Sequence, residues 1–296
     1  MFLYNAVSGC FSRPDPTDPS RLITRLPAGA YTNESITSFA LTLRPMQLNA
    51  EPLYPVQSYH LYSMKREIQR FFDQKIIRRL AQSGIKHRRG VLLYGPPGTG
   101  KTSLVRQVIP LLVERDAVIL KNFPIANLES GIIPAVRRND PDRPIVLIFD
   151  PFEAHAYHDS SKLLKLLDGL TSPDHLLTIA CSSRLSGLLE QFRNRPSRFG
   201  LTLYFERLPD GIHARLAWQK YPMLSDEQRQ FAAALTRELP LDMLDEACRL
   251  FVMGFDAEEV ADRIRMAVNG DDEDSDDEDS DDEDSDDEDS DDEDSD

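Results

Sequence analysis

The sequence predicts an α/β fold, with a parallel sheet of about five strands and flanking helices, then a small helical region and a disordered acidic tail. Three observations carry this. Short β-rich runs recur at Val91–Tyr94, Ala117–Leu120, Ile145–Phe149, Leu176–Cys181 and Leu201–Phe205, separated by stretches long enough for helices. The strongest runs are apolar throughout, as strands covered on both faces must be. A glycine-rich loop links the first run to an apolar helical stretch, and no strong strand follows Phe205.

Composition sets the outer bounds. The chain has 296 residues, 34 Lys+Arg, 50 Asp+Glu and a formal net charge of −16. That average hides two unlike parts. Residues 271–296 repeat DDEDS five times and end in Asp296, with 21 acids and no base. Residues 1–270 hold 29 acids and 34 bases, a net charge of +5. The body is mildly basic and long enough for real cores. The tail repels itself and offers nothing apolar to pack, which predicts disorder. It reads either as a solubilising tail or as a lure for basic partners and a shield for the basic body. No apolar run reaches 18 residues, which argues against a membrane span. The N-terminus, MFLYNAVSGCFSRPDP, lacks a basic start and breaks its apolar run at Asn5 and Ser8, so it does not read as a signal peptide. Cys10, Cys181 and Cys248 are odd in number and widely spaced, which fits a reducing interior, the cytoplasm.

Taken in order, residues 1–60 are rich in Pro and polar residues, with short strand-like runs such as Ile36–Leu43, and carry no assignable chemistry. Residues 63–80 predict a helix, because Met64, Ile68, Phe71, Phe72, Ile76 and Leu80 recur at three-to-four-residue spacing. Gly84 ends that stretch. An α/β domain then spans 61–208 and a helical region 209–270. Ser225 with Gln228 has the form of a capping box, and Asp256 with Glu259 marks a second helix start. Gly254 and Gly270 stand where helices would stop.

The strongest motif is Gly95-Pro96-Pro97-Gly98-Thr99-Gly100-Lys101-Thr102, followed by Ser103. It is a complete Walker A pattern, G-x4-G-K-T, in the strand-to-helix setting that pattern requires. Its glycines let the backbone curl so that successive N–H groups point inward, and the next helix adds its positive dipole end. Lys101 would reach the β- and γ-phosphates, and the Thr102 hydroxyl would ligate Mg²⁺. A carboxylate at a neighbouring strand end completes such a site, and Asp150 after Ile145–Phe149 supplies one. Pro151 occupies the next position and cannot act as a base. Glu153 is the nearest acid that could.

Further on, Leu176–Ser183 is an apolar run ending in small polar residues. Arg195 and Arg198, three residues apart in NRPSRF, could stabilise transition-state charge from a neighbouring subunit. By residue type alone, they could equally be solvated or salt-bridged.

Together these blocks resemble the AAA family of the AAA+ ATPases over about residues 60–265. The likeness rests on HRRG leading into VLLYGPPGTGKTSL, FDPFE at the Walker B position, LKLLDGL, and NRPSRF before LTLYFERLPD. Within the family it looks most like the mitochondrial complex III assembly ATPase subgroup and its phage and bacterial relatives. The resemblance implies ATP and Mg²⁺ as ligands and a helical lid over residues 209–270. It also implies a homo-oligomeric ring, usually a hexamer, remodelling a protein partner. Arg195 and Arg198 match the two finger positions, and Ser183 stands where the family has a sensor Asn. Pro151 and Ser183 depart from the pattern, so binding is the firmer expectation and turnover the weaker. The segment Lys121–Leu128 lacks the aromatic–hydrophobic–Gly triplet of threading pore loops; Phe123, its only aromatic, reads equally as core. Two alternatives stand beside the remodelling ATPase. One is a nucleotide-gated scaffold with little hydrolysis. The other is a DNA-associated loader, suggested by Lys86–Arg89 and Arg137-Arg138 but weakened by the mild +5 of the body.

Overall fold

A computed structural model describes the chain except for residues 1, 6–9, 13–21, 24, 34–41, 48–57, 169–172, 184–191, 193–196, 207, 209–210 and 274–296. Ten strands form one sheet among the described residues. In chain order they are β1 (Phe2–Asn5), β2 (Cys10–Ser12), β3 (Leu22–Ile23), β4 (Gly29–Asn33), β5 (Thr42–Pro45), β6 (Arg88–Tyr94), β7 (Val118–Lys121), β8 (Ile145–Phe149), β9 (Leu176–Ser182) and β10 (Leu201–Tyr204). Across the sheet the order is β10-β6-β9-β8-β7-β4-β5-β2-β1-β3.

The five strands expected from the sequence all form, and every pairing among them is parallel. The sheet is wider than five because β4 adds a sixth parallel strand against β7. From there β5, β2, β1 and β3 continue it antiparallel. The strands of residues 1–60 therefore extend the central sheet. Most of the expected Ile36–Leu43 run lies outside the described residues; the strand there is β5.

The helices are α1 (Ser58–Phe71), α2 (Gln74–Gln82), α3 (Lys101–Val113), α4 (Ile125–Asn127), α5 (Ile133–Asn139), α6 (Glu153–Asp168), α7 (Ile212–Lys220), α8 (Asp226–Leu235), α9 (Leu241–Val252) and α10 (Ala257–Glu273). A π turn, Leu128–Ile132, joins α4 to α5. The single helix expected over 63–80 is two. It breaks at Asp73, whose side chain accepts the Lys75 N–H at 2.7 Å and caps α2. Local capping chemistry overrides an apolar period that runs on unbroken.

β8 shows how the sheet is buried. All five of its residues are buried. Ile145, Leu147 and Phe149 face a core with Phe123, Phe152 and Leu163. Val146 and Ile148 face the opposite core, built from Met64, Leu104, Val108 and Leu112. Phe123 is fully buried, so it serves as core.

α7–α10 hold a third core, around Leu216, Leu244, Cys248 and Val260. The expected capping box and the expected second helix start both form. Ser225 and Gln228 bond reciprocally. Asp256 accepts the Glu259 N–H at 2.9 Å and donates its own N–H to Glu259 at 3.1 Å. Gly254, at φ +95°, follows α9 as expected. Gly270 does not stop α10, which continues to Glu273. Glycine costs a helix only about 1 kcal/mol and does not end one unaided. The remainder of the tail lies outside the described residues.

Candidate active site

The loop after β6 sits at the carboxyl end of the parallel sheet. Gly95 N–H bonds to the Ser182 carbonyl at 3.2 Å, tying the loop to the end of β9. Gly100 adopts a left-handed conformation immediately before α3. Gly98 (φ +67°) has no room for a side chain: a Cβ there would come within 2.2 Å of Pro240. The helical region thus closes onto the loop, and the Leu241 N–H donates to the Gly98 carbonyl at 3.3 Å.

A cleft of about 640 Å³ lies between loop and helices. That is ample for a nucleotide-sized ligand. Pro97 through Ser103 line it on one side, except Thr99. Asp150, Pro151, Ser182 and Ser183 form its floor. Lys220, Tyr221, Asp242, Asp245 and Arg249 face it from α7–α9 and their joints.

Lys101 is buried. Its Nζ donates to the Gly95 and Pro96 carbonyls at 2.7 and 2.6 Å. Burial lowers its pKa, opposed by the nearby Cys181, Asp150 and Glu153. Thr99 braces the loop through its hydroxyl, which donates to the Pro96 carbonyl at 2.8 Å. Thr102 Oγ1 donates to Asp150 Oδ1 at 3.3 Å, so hydroxyl and carboxylate meet at one point of the cleft. Lys121 Nζ lies 3.6 Å from the other oxygen of Asp150. A hard cation suits this oxygen pair. The described residues contain no group of three His, Cys, Asp or Glu that could hold a metal. Mg²⁺ is the ion that accepts so few protein ligands, filling its shell with phosphate oxygens and water.

Asn122 is a site residue the sequence reading missed. Its amide nitrogen donates to the Asp150 carbonyl at 2.6 Å and its amide oxygen accepts the Asp150 N–H at 2.8 Å. This two-point clamp fixes the backbone of Asp150, whose peptide to Pro151 is cis. Its only sequence signal was its place just after a strand. The wall residues of α7–α9 gave no signal at all.

Glu153 opens α6, behind the cleft floor. Its Oε1 accepts Ser182 Oγ and the Ser183 N–H, both at 2.7 Å. Pro151, not Glu153, faces the cleft. Arg195 lies outside the described residues. Arg198 is distant from the loop: a Cβ on Gly90, near the start of β6, would collide with its carbonyl. The loop begins five residues along β6, roughly 16 Å away at strand spacing. The Arg198 guanidinium is buried in a bidentate pair with Asp168, at 2.5 and 2.6 Å. Three arginines of the basic clusters that suggested DNA are engaged internally, while Arg138 is exposed. Arg88 and Arg137 donate to backbone carbonyls, and Arg89 pairs with Glu67.

A glycine loop between strand and helix, a buried lysine inside it and a carboxylate at the end of β8, two strands across the sheet, define a P-loop nucleotide-binding fold. Residues 91–207 match the model of the ATPase family associated with various cellular activities (AAA), and this nucleotide-binding core belongs to that family. The chain is 33% identical over 181 residues to the peroxisomal ATPase PEX6 of Eremothecium gossypii, covering 55% of this chain and 16% of that protein. It is 33% identical over 144 residues to the Arabidopsis thaliana PEX6, covering 42% and 15%. It is 28% identical over 167 residues to the vesicle-fusing ATPase of Dictyostelium discoideum, covering 48% and 22%. The chain therefore spans about a fifth or less of these relatives' length. They are eukaryotic and lend no support to a phage or bacterial origin, or to the complex III assembly subgroup. Among the described residues no helix is long and apolar enough to cross a membrane.

Proposed function

We propose that the chain binds ATP with Mg²⁺ in this cleft and hydrolyses it to ADP and phosphate, as a chaperone-like remodelling ATPase. One observation carries the reading: Lys101, Thr102 and Asp150 converge on a cleft that the helical region roofs through Pro240 and Leu241. The N–H groups of Gly98–Ser103 would cradle the phosphates and Lys101 would neutralise them. Thr102 and Asp150 would hold Mg²⁺, which supplies charge neutralisation to the phosphate oxygens when bound. Asn122 keeps Asp150 in place. Glu153 serves as base one residue behind the floor, steadied by Ser182 and Ser183.

Arg195 and Arg198 would act on a neighbouring copy in a ring, which we take to be a hexamer. Two facts favour this over action within one copy. Arg198 sits at the far end of β6 from the loop, and it is already paired with Asp168. Engagement would then exchange Asp168 for the neighbour's phosphate.

A second reading has a specific observation behind it. Pro151 faces the cleft where a base belongs, and Glu153 is engaged by two donors. On that reading the chain binds ATP to assemble and turns it over slowly. Titration with a fluorescent ATP analogue tests what the two readings share. Binding that needs Mg²⁺ and is lost in Lys101→Ala supports both, and unaltered binding in that variant refutes both.

A further inference from the structure

The basic charge of the body is concentrated in one place. Residues 58–89 contain nine Lys and Arg against two acids, a larger excess than that of residues 1–270 as a whole. The two acids are committed: Glu67 is buried against Arg89, and Asp73 caps α2. Six of the bases, Lys65, Arg66, Arg70, Lys75, Arg78 and Arg79, are exposed on α1 and α2. None of the six forms an ion pair among the described residues. Elsewhere several bases are ion-paired: Arg25 with Asp116 and Asp140, Arg143 with Asp116, Lys220 with Asp245. In α2 the apolar Ile76, Ile77 and Leu80 are half-buried while Lys75, Arg78 and Arg79 point outward. The result is six exposed cations on two successive helices, with Asp73 the one exposed acid among them.

The same chain carries the complementary charge. α10 ends at Glu273, and residues 274–296 add a run of Asp, Glu and Ser with no base and nothing apolar. These 23 residues can span about 75 Å when extended. A globule of the body's size has a radius of gyration of about 18 Å, so the tail can reach any part of it. A segment of carboxylates and serines suits a surface that presents six exposed cations, with the apolar Ile76, Ile77 and Leu80 of α2 turned partly inward.

We infer that the acidic tail, residues 274–296, docks within its own chain on the basic outer face of α1 and α2. The contact is electrostatic and multivalent, and it screens this face from other polyanions.

Carbodiimide coupling of carboxylates to lysine amines in the full chain, mapped by mass spectrometry, tests this. An equal mixture of ¹⁴N and ¹⁵N protein separates links within a chain from links between chains. At low salt, Lys65 and Lys75 should link to residues 271–296 several-fold more than the exposed Lys162 and Lys165 of α6, and within one chain. In about 1 M salt, where the screening length falls to about 3 Å, that preference should vanish. The double variant Arg78→Ala/Arg79→Ala should lower the Lys75 links roughly fivefold, the factor that two exposed ion pairs of ordinary strength supply. Neither arginine is buried, so its melting temperature should hold. Equal yields on all lysines, a preference that survives high salt, or links only between chains would overturn the inference. So would tight low-salt binding of duplex DNA to the full chain that the double variant loses, which would show the face open to an outside polyanion.

Discussion

Neutralising Asp168 should loosen the segment that carries the candidate finger. The Arg198 side chain is 5% exposed, while Asp168 is 36% exposed. Asp168 holds the arginine through two hydrogen bonds, and the guanidinium lies 5.8 Å from the Phe192 ring centroid. Removing one partner of a fully buried pair costs about 3–5 kcal/mol. Solvent already reaches Asp168, so the discounted cost of Asp168→Asn is about 2 kcal/mol. At 2–4 °C per kcal/mol for a body of this size, melting should drop by about 4–8 °C. Arg198→Met should cost less than Asp168→Asn, because it leaves no buried charge behind. The assay is thermal unfolding of both single variants and the double, read as a double-mutant cycle with a coupling of at least about 1 kcal/mol. Single variants that melt with the parent, and coupling below about 0.5 kcal/mol, would refute the claim that this pair organises the segment.

Three further outcomes follow from the same geometry. Gly98→Ala should cost about 1–2 kcal/mol for its left-handed backbone alone, and the clash with Pro240 should lift the helices off the loop; a nucleotide affinity unchanged from the parent would contradict that contact. Asn122→Ala should lower Mg²⁺-dependent turnover while nearly sparing Mg²⁺-free nucleotide binding, because it frees the backbone of Asp150 and not the loop; equal losses in both would contradict the clamp. Burial, first among the causes in each, lowers the pKa of His60, His87 and His213 below 6.5. In the unfolded chain these histidines take up protons below about pH 6.5 while the folded chain resists. Stability is therefore fully present above that pH and falls as pH drops toward the folded values. Denaturant midpoints should decline from pH 7.5 to 5, and His87→Gln should flatten the decline; a pH-independent midpoint would count against it.

The sheet was legible because its strands are continuous apolar runs, IVLIF above all, separated by helix-length intervals. The loop was legible because phosphate binding dictates residue types at fixed spacing. The capping box at Ser225 and the helix start at Asp256 were legible for the same reason, being local chemistry. The misses are contacts between distant positions, or choices the period cannot make. The break at Asp73 hides in a pattern whose apolar spacing continues from Phe71 through Ile76 to Leu80. β4 is short and opens on a glycine, and becomes a central strand only through its pairing with β7. Asn122 acquires its role only because the fold brings it beside Asp150, 28 positions away. The Arg198 partner is 30 positions upstream. No spacing rule distinguishes a finger held by Asp168 from one exposed to solvent.

Steady-state ATP hydrolysis with Mg²⁺, run beside light-scattering sizing, tests the account most directly. Lys101→Ala, Glu153→Gln and Arg198→Ala serve as its controls. The account predicts turnover from a ring-sized species, abolished in Lys101→Ala and Arg198→Ala and strongly reduced in Glu153→Gln. ATP-dependent assembly without turnover would select the scaffold reading, with Pro151 having disabled the chemistry. Phosphate release that survives Lys101→Ala, or a parent protein that neither binds nor hydrolyses ATP, would contradict the central claim.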